Sequence, residues 1–270
     1  MPFTVTDQHT HEFFHNGITV FRNILPPTLL ADLRNATTNA ASLARAQKGP
    51  QAQRLQPINA YDLPIKPFQD YAELPALHTA LAHVLTPEHT YGDWDNFGLL
   101  VEPAEYPWAT TWHRDFRDHM PAEIFEREFK ADYDRMMLDI NFLNQVNCPL
   151  YEDNCTWYVP GSHFRAKNTA AEERAARAVG KEDLREQGPQ ANKDRERVCL
   201  AYCQSMPNAI QLHLNAGDFA LYRPAGWHLG NYVPYRKRVT LHDLVETPQA
   251  HAEWQTMMDR WTKLRTAKLA

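Results

Sequence analysis

The sequence has few of the features that mark secreted, membrane-spanning or nucleic-acid-binding chains. Four cysteines, at 148, 155, 199 and 203, form neither a Cys-x-x-Cys pair nor a dense framework, which argues against a disulfide scaffold and a thiolate metal site. The stretch "VCLAYCQ" around Cys199 and Cys203 reads as a half-buried segment, not a ligand pair. The opening "MPFTVTDQHTHEFF" shows no basic, then apolar, then small-residue leader, and no apolar run approaches membrane-spanning length. The expectation is a reduced, cytoplasmic protein with no membrane partner. A formal net charge of −5 supplies no basic field, so no nucleic-acid partner is expected and a small-molecule substrate is. Internal repeats and long low-complexity tracts are missing as well.

What the chain does have is material for a core. Its 270 residues are 43% hydrophobic and 11% aromatic, which suits a single domain over 1–270, because β-rich barrels often run this long undivided. "TDQHTHEFFHNGITVFRNILPPTLLADLR" reads as a helix ending near Asn16-Gly17, a short β-branched strand, and a helix opened by Pro-Pro. Leu29, Leu33, Ala36 and Ala40 then recur at helical spacing. Residues 50–90 read as loops and short helices. From 97 on, "FGLLVEP", "RMMLDINFLNQV", "TWYVPGSH", "AIQLHLNAGDFALYRP" and "RVTLHDLVE" are β-prone segments between Pro, Gly, Asn and Asp turns. The expected class is mainly β with flanking helices, arranged as a double-stranded β-helix (cupin-like jelly roll).

Two stretches interrupt the strands: "MPAEIFEREFKADYD" and a charged insert over 164–198. By composition the insert is a solvated surface excursion, while its position between two site segments suits a mobile lid. Near the end, Trp254, Met257, Met258, Trp261 and Leu264 form an apolar helical stripe, either core packing or a homodimer contact.

The chemistry concentrates in "TTWHRDF". Among 13 histidines about one His-x-Asp triplet is expected by chance, so His113-x-Asp115 needs company. It finds it in "NAGDFALYRPAGWHLGN", where turn residues precede His228 at the end of a β-prone run. His113 and Asp115 share strand parity, so both side chains face one way. Two imidazoles and one carboxylate on one face of Fe(II) leave the opposite positions open for a cosubstrate and O2. Arg238, ten residues beyond His228, is placed to grip the distal carboxylate of 2-oxoglutarate. Arg236 shares its parity and remains an alternative, and Thr240 offers a hydroxyl contact.

Taken in order, "HEFFHNGITVFRNILPPTLLADLR", "WHRDF", "YVPGSH" and "GDFALYRPAGWH…R" resemble the phytanoyl-CoA dioxygenase-like branch of Fe(II)/2-oxoglutarate oxygenases, over about residues 7–245. The resemblance implies that His113, Asp115 and His228 are the iron ligands, that an arginine after the last histidine anchors 2-oxoglutarate, and that "PGSH" is a supporting turn, so His163 is no ligand. The loop before the arginines is shorter than usual for the family, and Arg238 fits it better than Arg236. Halogenating relatives replace the carboxylate with a small residue; Asp115 is present, which implies oxidation without chloride.

The expected activity is dioxygenation of a small hydrophobic or amphipathic metabolite, most simply hydroxylation, with release of succinate and CO2. A jelly-roll hydrolase or isomerase using the same triad, and a non-catalytic binding protein, are the competing readings. Trp108, Trp112, Phe116 and Trp227 flank the ligand segments as rim, core or pocket wall, and Arg114 and Arg117 read as solvated or as contacts to an acidic group.

Overall fold

The structure is a computed structural model that describes residues 3–89, 91, 96–165, 167–178 and 192–267. Its strands make two antiparallel sheets. The larger runs β1 (Ile18–Phe21), β8 (Phe219–Tyr222), β5 (Asn144–Pro149), β10 (Val239–Val245), β3 (Gly98–Val101) and β2 (Arg54–Leu55). The smaller runs β4 (Trp108–Ala109), β9 (His228–Tyr232), β6 (Thr156–Tyr158) and β7 (Ile210–Gln211).

Period-2 alternation divides the residues of the larger sheet between two environments. Val239, Leu241 and Val245 of β10, with Leu99, Val146, Phe219 and Leu221, join one buried apolar cluster. That cluster packs against α1 (Asp7–Asn16), α2 (Pro27–Ala36), α3 (Ala40–Lys48), α4 (Lys66–Ala72) and α5 (Pro75–Val84). The alternate residues, Leu100, Gln145, Asn147, Tyr222 and His242, line a cavity shared with Thr156, His228 and Gly230 of the smaller sheet. The outer face of the smaller sheet, with Trp157 and Leu229, is covered through Cys199, Tyr202 and Cys203 by a helix at Asn192–Ser205.

The α1 helix ends where the sequence places it. Gly17 adopts φ 77° and its N–H donates to Phe13 O at 2.9 Å, a left-handed cap that glycine enters without strain. A side chain there would also collide with His163, since a Cβ would lie 2.4 Å from its Nδ1.

Several expectations need correction. Helices hold more of the described residues than strands do, so the class is mixed helix and antiparallel sheet, not mainly β; two facing antiparallel sheets are consistent with the cupin-like arrangement. The segment "RMMLDINFLNQV" is not continuous strand: Met136 closes a helix at Lys130–Met136, a turn follows, and pairing starts at Asn144. Leu143, at φ 49°, makes that entry incompatible with an extended run. Ala40 opens α3 after a break, so it does not continue the α2 face.

Within the charged insert, residues 166 and 179–191 lie outside the described residues, and so does the lid reading for them. Its flanks are anchored more firmly than composition implies: Glu172 and Arg195 are buried, and Arg165 pairs with Glu172. Among the described residues, no helix is long and apolar enough to cross a membrane.

Candidate metal centre

A β-bridge brings the two ligand segments together. His113 N donates to His228 O at 3.1 Å and His228 N to His113 O at 3.0 Å. Ala109 pairs with Asn231, so four steps on one strand run against three on the other, a bulge that re-aims the side chains beyond it. Thr110 fills the gap, its Oγ accepting from Gly230 N at 2.9 Å. Asp115 N donates to Pro224 O at 2.9 Å, which closes the same seam.

Each of these imidazoles is fixed by its own backbone. His113 Nδ1 donates to Thr111 O at 2.8 Å and His228 Nδ1 to Gly226 O at 2.9 Å, which leaves both Nε2 lone pairs free. Both Nε2 atoms lie 3.6 Å from Asp115 Oδ1. Ligand atoms held about 2.1 Å from one ion are roughly 3.0 to 4.2 Å apart, depending on the angle between them, so each imidazole stands from the carboxylate at a separation that a shared divalent ion would need. Burial, followed by the neighbouring His228, pushes the His113 pKa down to about 4, which favours the neutral imidazole that a metal requires. Burial alone would raise the Asp115 carboxyl; His228, His113 and His119 outweigh it and hold the group ionised.

Asp115 is oriented from its other oxygen. Gln145 Nε2 donates to Asp115 Oδ2, and Gln145 Oε1 accepts from Tyr222 OH at 2.8 Å. The relay leaves Oδ1 to face the imidazoles. Gln145→Leu should therefore weaken divalent-metal affinity about tenfold to a hundredfold, the usual effect of losing an outer hydrogen bond to a ligand, and calorimetric titration with Co(II) reads it. Unchanged affinity would remove Gln145 from that role.

His119 was not anticipated as a site residue. Its Nε2 is also 3.6 Å from Asp115 Oδ1, and the donor atoms of His113, Asp115 and His119 all lie within 4.8 Å of one another. The sequence signal was available, four residues after Asp115, but only the turn at 117–119 brings the ring back.

Arg238 lines the same cavity, of about 280 Å³, as His113, Asp115 and His228. Its Nε donates to Asp153 at 2.8 Å while Nη1, though buried, has no hydrogen-bond partner. An orphaned donor on a buried guanidinium suits a carboxylate ligand entering that cavity. Arg54 lines the cavity too; its Nη2 lies 3.4 Å from His242 Nε2 and its Nε is likewise without a partner. Burial, with Arg54 adding to it, pushes the His242 pKa down to about 3, so the ring is neutral and can accept from the guanidinium. Arg236 sits elsewhere, half-exposed and 3.3 Å from Glu152. The Thr240 hydroxyl donates to Asp153, outside the cavity lining.

The "YVPGSH" segment supports the turn that delivers His228. Tyr158 OH donates to Arg223 O at 2.9 Å, and Ser162 Oγ accepts from Trp227 N at 2.8 Å. Gly226 has to be glycine here, because a Cβ would lie 2.2 Å from the Tyr158 hydroxyl. His163 Nε2 donates to Phe14 O at 3.2 Å, away from the site.

A second cavity of about 290 Å³ adjoins the first through Arg54, Asp115, His119, Gln145 and His242. Phe116, Met120, Leu143, Trp254, Met258 and Trp261 give it an apolar wall. Part of the C-terminal stripe, on the helix Pro248–Ala267, thus faces a cavity. Of the flanking aromatics, Phe116 alone lines it; Trp112 and Trp227 are buried in the cluster behind the smaller sheet, and Trp108 packs on Tyr232. Arg114 is buried over the Trp227 ring at 4.1 Å and is not solvated.

The fold that carries these two adjoining cavities has counterparts among solved structures. HygX from Streptomyces hygroscopicus, solved with nickel and 2-oxoglutarate bound, superposes with TM-score 0.54 at 14% identity, over 91% of this chain and 88% of that one. The chain shares its fold. The non-haem α-ketoglutarate-dependent epimerase SnoN from nogalamycin biosynthesis matches with TM-score 0.51 at 11% identity, over 89% of this chain and 80% of SnoN. EvdMO1 matches with TM-score 0.56 at 13% identity, over 89% of this chain, which spans about half of EvdMO1 (49%). No family model matches the chain, and no curated protein matches it in sequence. The likeness is therefore to the fold of 2-oxoglutarate-dependent enzymes, a broader group than the phytanoyl-CoA dioxygenase-like branch.

Proposed function

We propose that the chain is an Fe(II)- and 2-oxoglutarate-dependent dioxygenase of the phytanoyl-CoA dioxygenase-like branch, hydroxylating a C–H bond of a small hydrophobic or amphipathic metabolite. The observation that carries the reading is the convergence of two tautomer-fixed imidazoles, one oriented carboxylate and one buried guanidinium with a free donor on a single cavity. His113, Asp115 and His228 would hold the iron. Arg238 would bind the distal carboxylate of 2-oxoglutarate; Arg236 is the weaker candidate because it lies at the surface. Thr240 acts at one remove, by holding the Asp153 carboxylate that aims Arg238.

When bound, iron and the oxoacid supply the oxidation of the substrate, with O2 consumed and succinate and CO2 released. The protein's share is placement and exclusion of water. Gln145 keeps Asp115 pointing at the imidazoles, and the aromatic cavity beside it holds the substrate's C–H bond near the centre while excluding solvent. The apolar lining favours an apolar body, and Arg54, Gln56 and Asn96, which line the same cavity, favour a polar end.

A screen of metabolite pools for Fe(II)-dependent succinate release, with product identified by mass, tests the reading. A gain of one oxygen atom in the product is expected; hydrolysis or isomerisation of the substrate without 2-oxoglutarate consumption would contradict it. With the substrate in hand, Trp261→Ala should raise KM about tenfold with little change in kcat, the pattern of lost uniform binding. A fall in kcat alone would place Trp261 outside the substrate wall.

A further inference from the structure

We propose that His119 is a fourth, exchangeable metal ligand, closed on the ion while the oxoacid is absent and released when the oxoacid binds. The inference rests on the reading of His113, Asp115 and His228 as the metal site.

Three imidazole Nε2 atoms, not two, stand 3.6 Å from Asp115 Oδ1, and the third belongs to His119. The chain is bent to put it there. Phe116 adopts φ 64° and ψ −58°, and Arg117 N donates back to Asp115 O at 2.8 Å. This is a γ-turn of the strained hand, rare for any residue and costly for a bulky one. The next residues are fastened as a short helical turn: Asp118 accepts from Arg114 N at 2.8 Å, Nε at 2.9 Å and Nη2 at 3.0 Å. Backbone strain of this kind persists where the surroundings enforce it, commonly at functional sites. Here the result is an imidazole turned back over the carboxylate two turns after leaving it.

The three rings differ in how they are held. His113 and His228 are each tied at Nδ1 to a backbone carbonyl, whereas among the described residues no hydrogen bond fixes His119 Nδ1, and its side chain is 56% exposed. His119 also lines both cavities. A half-exposed ring with no hydrogen bond fixing Nδ1, packed beside the His113 ring at 5.7 Å between centroids, can pivot out of the oxoacid cavity toward solvent at small cost. Counting positions makes the pivot necessary. Three protein ligands on an octahedral ion leave three places, two for the donors of the oxoacid and one for a further reactant; a fourth protein ligand leaves too few. A ligating His119 therefore retains the ion in the resting protein and has to leave before the reactants are all accommodated.

Titration of the full chain with Co(II), followed by its ligand-field absorption and by calorimetry, tests this with and without saturating 2-oxoglutarate. His119→Ala is expected to weaken Co(II) binding at least about tenfold in the absence of 2-oxoglutarate and to alter the spectrum. With 2-oxoglutarate saturating, wild type and variant should bind Co(II) alike. Linkage then requires the Co(II)-loaded variant to bind 2-oxoglutarate more tightly than wild type by the same factor. Equal Co(II) affinity and spectra without 2-oxoglutarate would overturn the proposal, and so would an equal loss with and without it, which describes a permanent ligand or a structural residue. A wild-type chain that takes up no Co(II) would overturn the metal reading itself, and a His113→Ala control separates that failure from the other two.

Discussion

Asp115→Ala is expected to abolish both divalent-metal binding and turnover while leaving a folded protein. The carboxylate is the hub of the site: its Oδ1 faces three imidazoles at 3.6 Å and its Oδ2 is held by Gln145. Removing it takes away the one anionic ligand that offsets the ion's charge and leaves neutral imidazoles alone to hold it. The fold should survive, because the segment is secured by backbone bonds that the side chain does not make, His113 to His228 and Asp115 N to Pro224 O. Circular dichroism and metal analysis after dialysis check both halves. A variant that retains metal at wild-type stoichiometry would remove Asp115 from the centre.

Arg238→Ala should cost more in stability than any other change at the site, about 3 to 5 kcal/mol, because it strands a buried carboxylate. Arg238 and Asp153 are almost wholly buried, with side chains 4% and 3% exposed and Nε to Oδ2 at 2.8 Å. Burial would raise the Asp153 pKa, but Arg238, helped by the Thr240 hydroxyl and Cys155 N–H, holds it below the ordinary aspartate value. A lowered folded pKa stabilises the protein fully above the unfolded value, about 3.9, and loses that contribution as pH falls through the folded one. In the variant, Asp153 stays buried without its cation and protonates above the ordinary value, so the deficit should already be shrinking as pH falls toward about 4 and be lost below the lowered wild-type value, as denaturant melts across pH would show. An alanine phenotype alone would confuse fold with cosubstrate. Arg238→Lys keeps a cation for Asp153 but not the planar fork, so it should fold and bind 2-oxoglutarate about tenfold to a hundredfold more weakly, the equivalent of one charged hydrogen bond.

Local chemistry made part of this legible in the sequence. Gly17 as a helix stop, Pro27 as a helix start and the β-prone run "RVTLHDLV" as a strand each depend on neighbours in sequence, and each appears as expected. His113, Asp115 and His228, read from the sequence as one set, line one cavity, although Asp115 sits in a turn and not on the extended strand that parity assumed. What escaped depends on tertiary closure. Gln145 reads as an ordinary β-prone position until β5 is laid beside β8 and Tyr222 reaches it. The Trp254, Met258 and Trp261 stripe has the same pattern whether it meets a core or a cavity. His119 required a turn with positive φ at a phenylalanine, which no propensity favours. Helix content exceeds what the β-prone segments imply because part of the layer over the larger sheet is built from weakly patterned stretches such as those between 50 and 90.

The most direct measurement is an anaerobic titration of the Fe(II)-loaded chain with 2-oxoglutarate, followed by visible absorption, because chelation of iron by the oxoacid produces a charge-transfer band. One equivalent of 2-oxoglutarate per chain should bring the band to saturation in the wild type, and His228→Ala should not develop it. A wild-type chain that binds iron yet shows neither band nor 2-oxoglutarate binding would contradict assignment of this site to an Fe(II)/2-oxoglutarate enzyme.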